Sequence, residues 1–326
     1  MRAVVIGASG HIGNALVRAL LDRKDEVTAC GRRSSPPANL ADLAVRYLPG
    51  DFDRPGQLDR WIAGHDLVID AAAPYPIDAF VLADRNGDPI AQAERRTRRL
   101  IDSLFKHNAN LAYISSFVTL THPRSNAQQL QMRTMRLAYP YFEVKEFIEA
   151  QIVDAARHGL RAVIVNPTYC LGPWDLRDRQ RCMLPALVRG EPVPSIDGTL
   201  DIIDVRDVAA GLIAATEAKL YGKPTMLGGH KISTRQLFSR VCEIAGVTRS
   251  VFRTPSSLAL AGTYLVEVMS RMIGQQAPLP SVALVILATF DFAIGESALL
   301  ELGITPRPLS ETLADAIKWY RQIGYC

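Results

Sequence analysis

The sequence predicts an α/β fold: a doubly wound parallel sheet with a smaller, mostly helical C-terminal part. Three observations predict it. Short β-branched runs alternate with helical segments, at strand–helix–strand spacing, as far as Pro167. Several of those runs are apolar throughout, as strands covered on both faces are. A glycine-rich turn lies directly between the first run and the first helical segment.

Ala3 to Ile6 is a buried strand ending at Gly7, and Ile12 to Leu21 has helical spacing. Glu26 to Cys30 and Val45 to Leu48 read as the next two strands, and His65 to Ala71 as a fourth. A polar helix covers Pro89 to Lys106, and Leu111 to Ser115 is a fifth strand. Another helix starts near Pro140, a residue that suits a first helical position. Its apolar stripe is Val144, Phe147, Ile148, Ile152 and Ala155. Arg161 to Asn166 is a sixth strand, stopped by Pro167. Residues 170–200 read as loop and short helix; Ile202 to Thr216 returns to strand and helix, and Thr225 to Leu227 is a further strand.

Bulk properties narrow the function. The 326 residues are 48% hydrophobic and 21% charged, ordinary for a globular protein with a sizeable core. A net charge of +4, with no aromatic residues interleaved among basic clusters, argues against a nucleic-acid binder. Five scattered cysteines without a C-x-x-C imply neither a disulfide framework nor a zinc site, and reduced thiols in a cytoplasm are the simplest reading. No signal peptide is visible. The apolar stretches Ser257 to Val268 and Val282 to Ile294 are too short to span a bilayer and read as buried or pocket-lining helices.

The turn Gly7-Ala-Ser9-Gly10-His11-Ile12-Gly13 sits where a strand meets a helix. Glycines there permit the tight turn and close approach of backbone to a pyrophosphate, which the helix N-terminus faces. This is the mark of a Rossmann-type dinucleotide fold. The second strand ends Ala29-Cys30-Gly31-Arg32-Arg33, with no carboxylate for a ribose 2′-hydroxyl and two guanidiniums suited to a 2′-phosphate. NADP(H) is therefore favoured over NAD(H). Asp51 and Phe52 follow the third strand, where they would border the adenine, and Ala71, Ala72 and Ala73 offer small side chains along the cofactor's path. Residues 1–168, with 201–228 returning to them, form the expected dinucleotide-binding part. Residues 169–200 and 229–326 form the expected substrate-binding part.

Tyr141 and Lys145 are four apart on a helix and so share a face. A lysine ammonium beside a tyrosine favours the phenolate and lowers a pKa that is ordinarily about 10. Such a tyrosine can exchange a proton with a carbonyl or alcohol oxygen. The spacing arises by chance in roughly one such chain in five, so its surroundings decide its weight.

Those surroundings resemble the extended short-chain dehydrogenase/reductase family, in its dihydroflavonol-reductase-like and NAD-dependent epimerase/dehydratase branch. The resemblance rests on Gly7-x-x-Gly10-x-x-Gly13, on Tyr141-x-x-x-Lys145 and on four further segments. They are Tyr113-Ile-Ser-Ser-Phe-Val-Thr119, Val165-Asn-Pro-Thr-Tyr-Cys-Leu-Gly-Pro173, Ile203-Asp-Val-Arg-Asp-Val-Ala209 and Leu302-Gly-Ile-Thr-Pro-Arg-Pro308. It implies that Ser116 hydrogen-bonds the substrate oxygen and Tyr141 is the proton donor or acceptor. It implies too that Lys145 lowers the tyrosine pKa and holds the nicotinamide ribose. Ser115 and Thr119 are neighbours able to share the hydroxyl role. Backbone around Asn166, Pro167 and Thr168 would face the nicotinamide carboxamide.

One departure stands out. The family usually ends its fourth strand in a His-Leu-Ala-Ala-like run, whereas this chain has Ile69-Asp70-Ala-Ala-Ala-Pro74-Tyr-Pro76. Asp70 is expected to cap a turn. Arg177, Arg179 and Arg181 read as a solvated loop, with binding of a substrate phosphate or carboxylate as the alternative. The resulting expectation is an NADP(H)-dependent enzyme that interconverts a carbonyl and an alcohol on a small or medium organic molecule. Its alternatives are a nucleotide-sugar epimerase/dehydratase with tightly held NAD, and a dinucleotide sensor, against which the retained Ser116, Tyr141 and Lys145 argue. The expected partner is a small-molecule substrate, with no nucleic acid and no membrane span; a homodimer is compatible with the sequence.

Overall fold

The computed structural model describes residues 1–73, 88–120, 139–176, 183–191, 198–248, 254–273 and 297–326, together with Gln129, Arg133 and Arg136. Pro74, Pro76, Arg177, Arg179, Arg181 and the stretch Val282 to Ile294 lie outside the described residues.

The first half runs β1 (Arg2–Ile6), α1 (His11–Asp22), β2 (Glu26–Gly31), β3 (Arg46–Pro49), α2 (Gln57–Ile62), β4 (Leu67–Asp70), α3 (Pro89–His107), β5 (Asn110–Ile114), α4 (Pro140–Arg157) and β6 (Ala162–Pro167). Then come β7 (Tyr169–Leu171), α5 (Met183–Arg189), β8 (Thr199–Asp204), α6 (Val205–Glu217), β9 (Pro224–Leu227), β10 (His230–Ser233) and α7 (Thr234–Ala245). The chain closes with α8 (Ser256–Met272), α9 (Ser297–Glu301) and α10 (Leu309–Gln322).

Seven strands form one parallel sheet in the order β3-β2-β1-β4-β5-β6-β9. Strand pleating sends successive side chains to opposite faces, and the two faces carry separate cores. Ala3 and Val5 pack with Leu16 and Leu20 of α1 and with Val208 and Leu212 of α6. Val4 and Ile6 pack with Trp61 of α2, Leu104 of α3 and Val144, Ile148 and Ile152 of α4. The chain reverses direction across the sheet between β1 and β4, and the groove at the carboxyl ends of those strands is where such folds bind ligands.

Local signals set the helix starts. Asp88 accepts a hydrogen bond from Ile90 N–H at 2.9 Å ahead of Pro89, and Asp204 accepts from Arg206 N–H at 2.8 Å. Ser233 and Gln236 form a reciprocal capping box on α7.

The expected strand at Ile202 behaves differently from the helix that follows it. β8 leaves the large sheet and pairs with β7 and β10 in a three-stranded sheet, while α6 and β9 belong to the large one. Leu200 and Ile202 point into a third core with Leu237, Phe238, Leu313 and Ile317, whereas Ile203 faces the first core. α8 also departs from expectation. Leu258, Leu265 and Val266 are exposed, while Ala259 and Glu267 are buried. No helix among the described residues is long and apolar enough to cross a membrane.

Candidate active site

The glycine turn is fixed by close approach. Gly7 has φ +82°, and a Cβ there would lie 2.8 Å from the Ala71 carbonyl oxygen. A Cβ on Gly13 would lie 2.2 Å from the carbonyl oxygen of Gly7. Gly7 and Ala8 N–H both donate to Cys30 O, which ties the turn to the end of β2. Gly10 starts α1 with no side-chain cap, and its first turn carries no acidic residue, so the helix N-terminus is left for an anion. Asn39 Nδ2 braces the turn by donating to Ser9 O at 3.0 Å. Ala71 and Ala72 sit against the turn. These features fit a dinucleotide.

Arg32 and Arg33 follow β2 and are exposed, and among the described residues neither takes part in an ion pair. Asp51 is exposed and accepts from Asp53 N–H at 3.0 Å. Phe52 sits differently from the adenine-bordering position expected of it. Its ring is buried, with the Arg96 guanidinium 3.8 Å from the ring centroid.

Arg96 is held in turn by Asp70, with two hydrogen bonds of 2.8 and 2.9 Å. Asp70 also accepts from Ala72 N–H at 3.0 Å, the turn cap the sequence suggested. Burial alone would raise the Asp70 carboxyl. The Arg96 charge and its hydrogen bonds outweigh that and hold it below the usual carboxylate range.

At the other end of the cleft, α4 brings Tyr141 and Lys145 against the end of β5. Tyr141 O–H donates to Ser116 Oγ at 2.9 Å. Ser116, Tyr141 and Lys145 are each exposed by 6% or less. Lys145 Nζ stands 5.7 Å from the Tyr113 ring centroid. Burial pushes the Lys145 ammonium down to about 8, with Arg96 acting the same way and the Asp70 and Glu149 carboxylates opposing. Burial also pushes the Tyr113 phenol well above its ordinary value, so that tyrosine stays neutral. Ser115 is buried beside Ser116. Pro167 closes β6, and Thr168 Oγ1 donates to Asp201 Oδ1 at 3.0 Å, linking the two sheets.

Two residues of this neighbourhood, Glu149 and Arg96, are not singled out in the sequence, and a third, Asn166, is singled out for its backbone alone. Glu149 lies one turn beyond Lys145, is buried, and contacts Thr119 and Asn166 through Oε2 at 2.8 and 2.6 Å. Arg96 is the buried member of an arginine-rich helix face, and Asn166 ends β6 with its amide nitrogen among Glu149, Thr119 and Ser116.

A doubly wound sheet, a glycine turn shaped for pyrophosphate and a buried Ser–Tyr–Lys group together define a nicotinamide-nucleotide enzyme of the extended short-chain dehydrogenase/reductase type. The family model for the NAD dependent epimerase/dehydratase family matches residues 3–226, and the chain belongs to that family. It is 27% identical to a putative dihydroflavonol 4-reductase of Synechocystis sp., over 98% of this chain and 95% of the relative. It is 26% identical to sterol demethylase protein B of Methylococcus capsulatus, over 99% of both chains. A nucleoside-diphosphate-sugar epimerase from Pseudomonas aeruginosa has the same fold, with a TM-score of 0.74 at 22% identity, covering 100% of this chain and 99% of that one.

Proposed function

We propose that this enzyme interconverts a carbonyl and an alcohol on a small or medium organic substrate, using NADP(H), with Ser116, Tyr141 and Lys145 as the proton-transfer group. The observation that carries the reading is the Tyr141 phenol 2.9 Å from Ser116 Oγ, with the buried Lys145 one helical turn further on. The substrate oxygen would accept hydrogen bonds from both hydroxyls. In reduction Tyr141 gives its proton to that oxygen, and the Lys145 ammonium stabilises the phenolate left behind. Each pKa unit by which the phenolate is favoured corresponds to about 1.4 kcal/mol. In oxidation the phenolate takes the alcohol proton back. The nicotinamide, when bound, supplies or accepts the hydride. Lys145 would also hold its ribose, and backbone at Pro167 and Thr168 its carboxamide.

Gly7, Ser9, Gly10, His11, Ile12 and Gly13 would hold the pyrophosphate, and Asp51, Ala71, Ala72 and Ala73 would line the adenosine side. Arg32 and Arg33, exposed and without an ion pair among the described residues, support the preference for a 2′-phosphate. We assign nucleotide binding to residues 1–168 with 201–228, and substrate binding to 169–200 and 229–326. The relative named as a dihydroflavonol 4-reductase favours carbonyl reduction. The family description and the epimerase of like fold favour a second reading, sugar epimerisation with retained NAD.

The test is to release and identify the nucleotide from purified protein, then to screen ketones, aldehydes and nucleotide sugars for NADPH oxidation. NADP(H) with ketone-dependent oxidation is expected. Bound NAD with epimerisation of a nucleotide sugar would overturn the proposal in favour of the second reading.

A further inference from the structure

α4 presents three functional groups on one face, at successive i, i+4 spacings: Tyr141, Lys145 and Glu149. The third is a carboxylate exposed by only 6%, in a stripe otherwise filled by Val144, Ile148 and Ile152. A buried carboxylate without compensating donors is costly. This one is compensated by groups that frame Ser116. Asn166 Nδ2 lies 2.6 Å from Glu149 Oε2, 2.8 Å from Thr119 Oγ1 and 3.1 Å from Ser116 O. Thr119 Oγ1 lies 2.8 Å from Glu149 Oε2 and 2.9 Å from Ser116 O.

Proton counting limits the arrangement to two forms, which hold the same groups together. Asn166 brings two N–H protons and Thr119 one O–H proton. Asn166 gives one to the Glu149 carboxylate, and Ser116 O is reached either by the second Asn166 proton, with Thr119 on Glu149, or by the Thr119 proton, with Asn166 on Thr119 Oγ1. Either form leaves the Ser116 carbonyl held by this group and its hydroxyl held by Tyr141. The loop closes through α4, which carries both Tyr141 and Glu149.

We propose that Glu149 is a positioning residue: through Asn166 and Thr119 it holds Ser116 in register with Tyr141. The inference rests on the proton-transfer reading of Ser116, Tyr141 and Lys145. It assigns Glu149 no contact with substrate and no proton transfer of its own. Gln at this position keeps an acceptor oxygen and should preserve the frame; Ala removes it and frees the turn that carries Ser116.

A double-mutant cycle tests this, using NADPH and the most rapidly reduced carbonyl of a ketone and aldehyde panel, with full-length protein. Glu149→Ala should lower kcat about 10- to 100-fold with Ser116 present but less than about 3-fold in a Ser116→Ala background, because contacting residues in one network couple. The KM for NADPH should stay within about 3-fold, and Glu149→Gln should recover kcat to within about 3-fold of wild type. Amide hydrogen exchange over Ser116–Leu120 should quicken in the Ala variant and not in the Gln variant.

Equal losses in both backgrounds, an unchanged kcat, or unchanged exchange in the Ala variant would overturn the proposal. If Glu149→Ala does not fold, Thr119→Val cuts the same frame from the other side and must show the same coupling to Ser116. Tyr141→Phe in the same assay separates the two ideas. If it turns over like wild type, the proton-transfer reading fails; if it is inactive while Glu149→Ala is normal, only the positioning role fails.

Discussion

The two ends of the cofactor cleft are built on opposite physical terms. At the proposed nucleotide end stand a backbone turn and the exposed side chains of Arg32 and Arg33. At the proton-transfer end, Ser116, Tyr141 and Lys145 are buried, alongside Asp70, Arg96 and Glu149. Solvated arginines interact through a high dielectric and are screened by salt, so each acts nearly alone. Buried charges feel one another strongly, so the state of each depends on the rest. Changes at the first end should therefore alter affinity and little else, whereas changes at the second should alter stability, protonation and rate together.

Asp70→Asn should break that distinction most visibly. It leaves the Arg96 guanidinium buried and without its charged partner, which typically costs about 3–5 kcal/mol of stability. Denaturant unfolding would measure the loss. Removing a carboxylate that favours the ammonium should also lower the Lys145 pKa further.

Lys145→Met comes next and has the opposite sign. The folded-state pKa of Lys145 is about 8, below its ordinary value, so protonated Lys145 destabilises the fold near neutrality. A methionine should relieve up to about 3 kcal/mol while abolishing turnover. The gain should be fully present below pH 8. It should shrink as the pH rises from about 8 toward 10.5, where the unfolded lysine loses its proton too. A gain independent of pH would show that the ammonium is not the cause.

The smallest effect belongs to the exposed end. Replacing Arg32 and Arg33 together by Ala should raise the Kd for NADPH about 10- to 100-fold and that for NADH less than about 3-fold. Unfolding should be nearly unchanged. Equal weakening of both cofactors would refute the assignment of these arginines to a 2′-phosphate.

The same contrast explains what could be read from the residues alone. The glycine turn, the β-branched strands and the Tyr141–Lys145 spacing are local signals, written within a few neighbouring residues. β7 and β10 are three and four residues long, and only pairing with β8 makes them strands. α2 is a single short helix of six residues between loops. The buried polar groups depend on partners far along the chain. Asp70 and Arg96 are 26 residues apart, and Glu149 meets Thr119 across 30. In Glu94-Arg-Arg-Thr-Arg-Arg99 nothing distinguishes the buried Arg96 from its solvated neighbours. Phe52 reads as an adenine neighbour because its Arg96 partner lies far along the chain, in α3.

The central claim is that Tyr141 moves the proton at a substrate oxygen. Tyr141→Phe keeps the ring that packs edge-on against Phe142 at 5.6 Å and removes only the hydroxyl. The decisive measurement is NADPH-dependent carbonyl turnover by this variant, with NADPH binding followed in parallel. The account predicts turnover reduced about 10²- to 10⁴-fold with the Kd for NADPH within about 2-fold of wild type. Turnover close to wild type would contradict it.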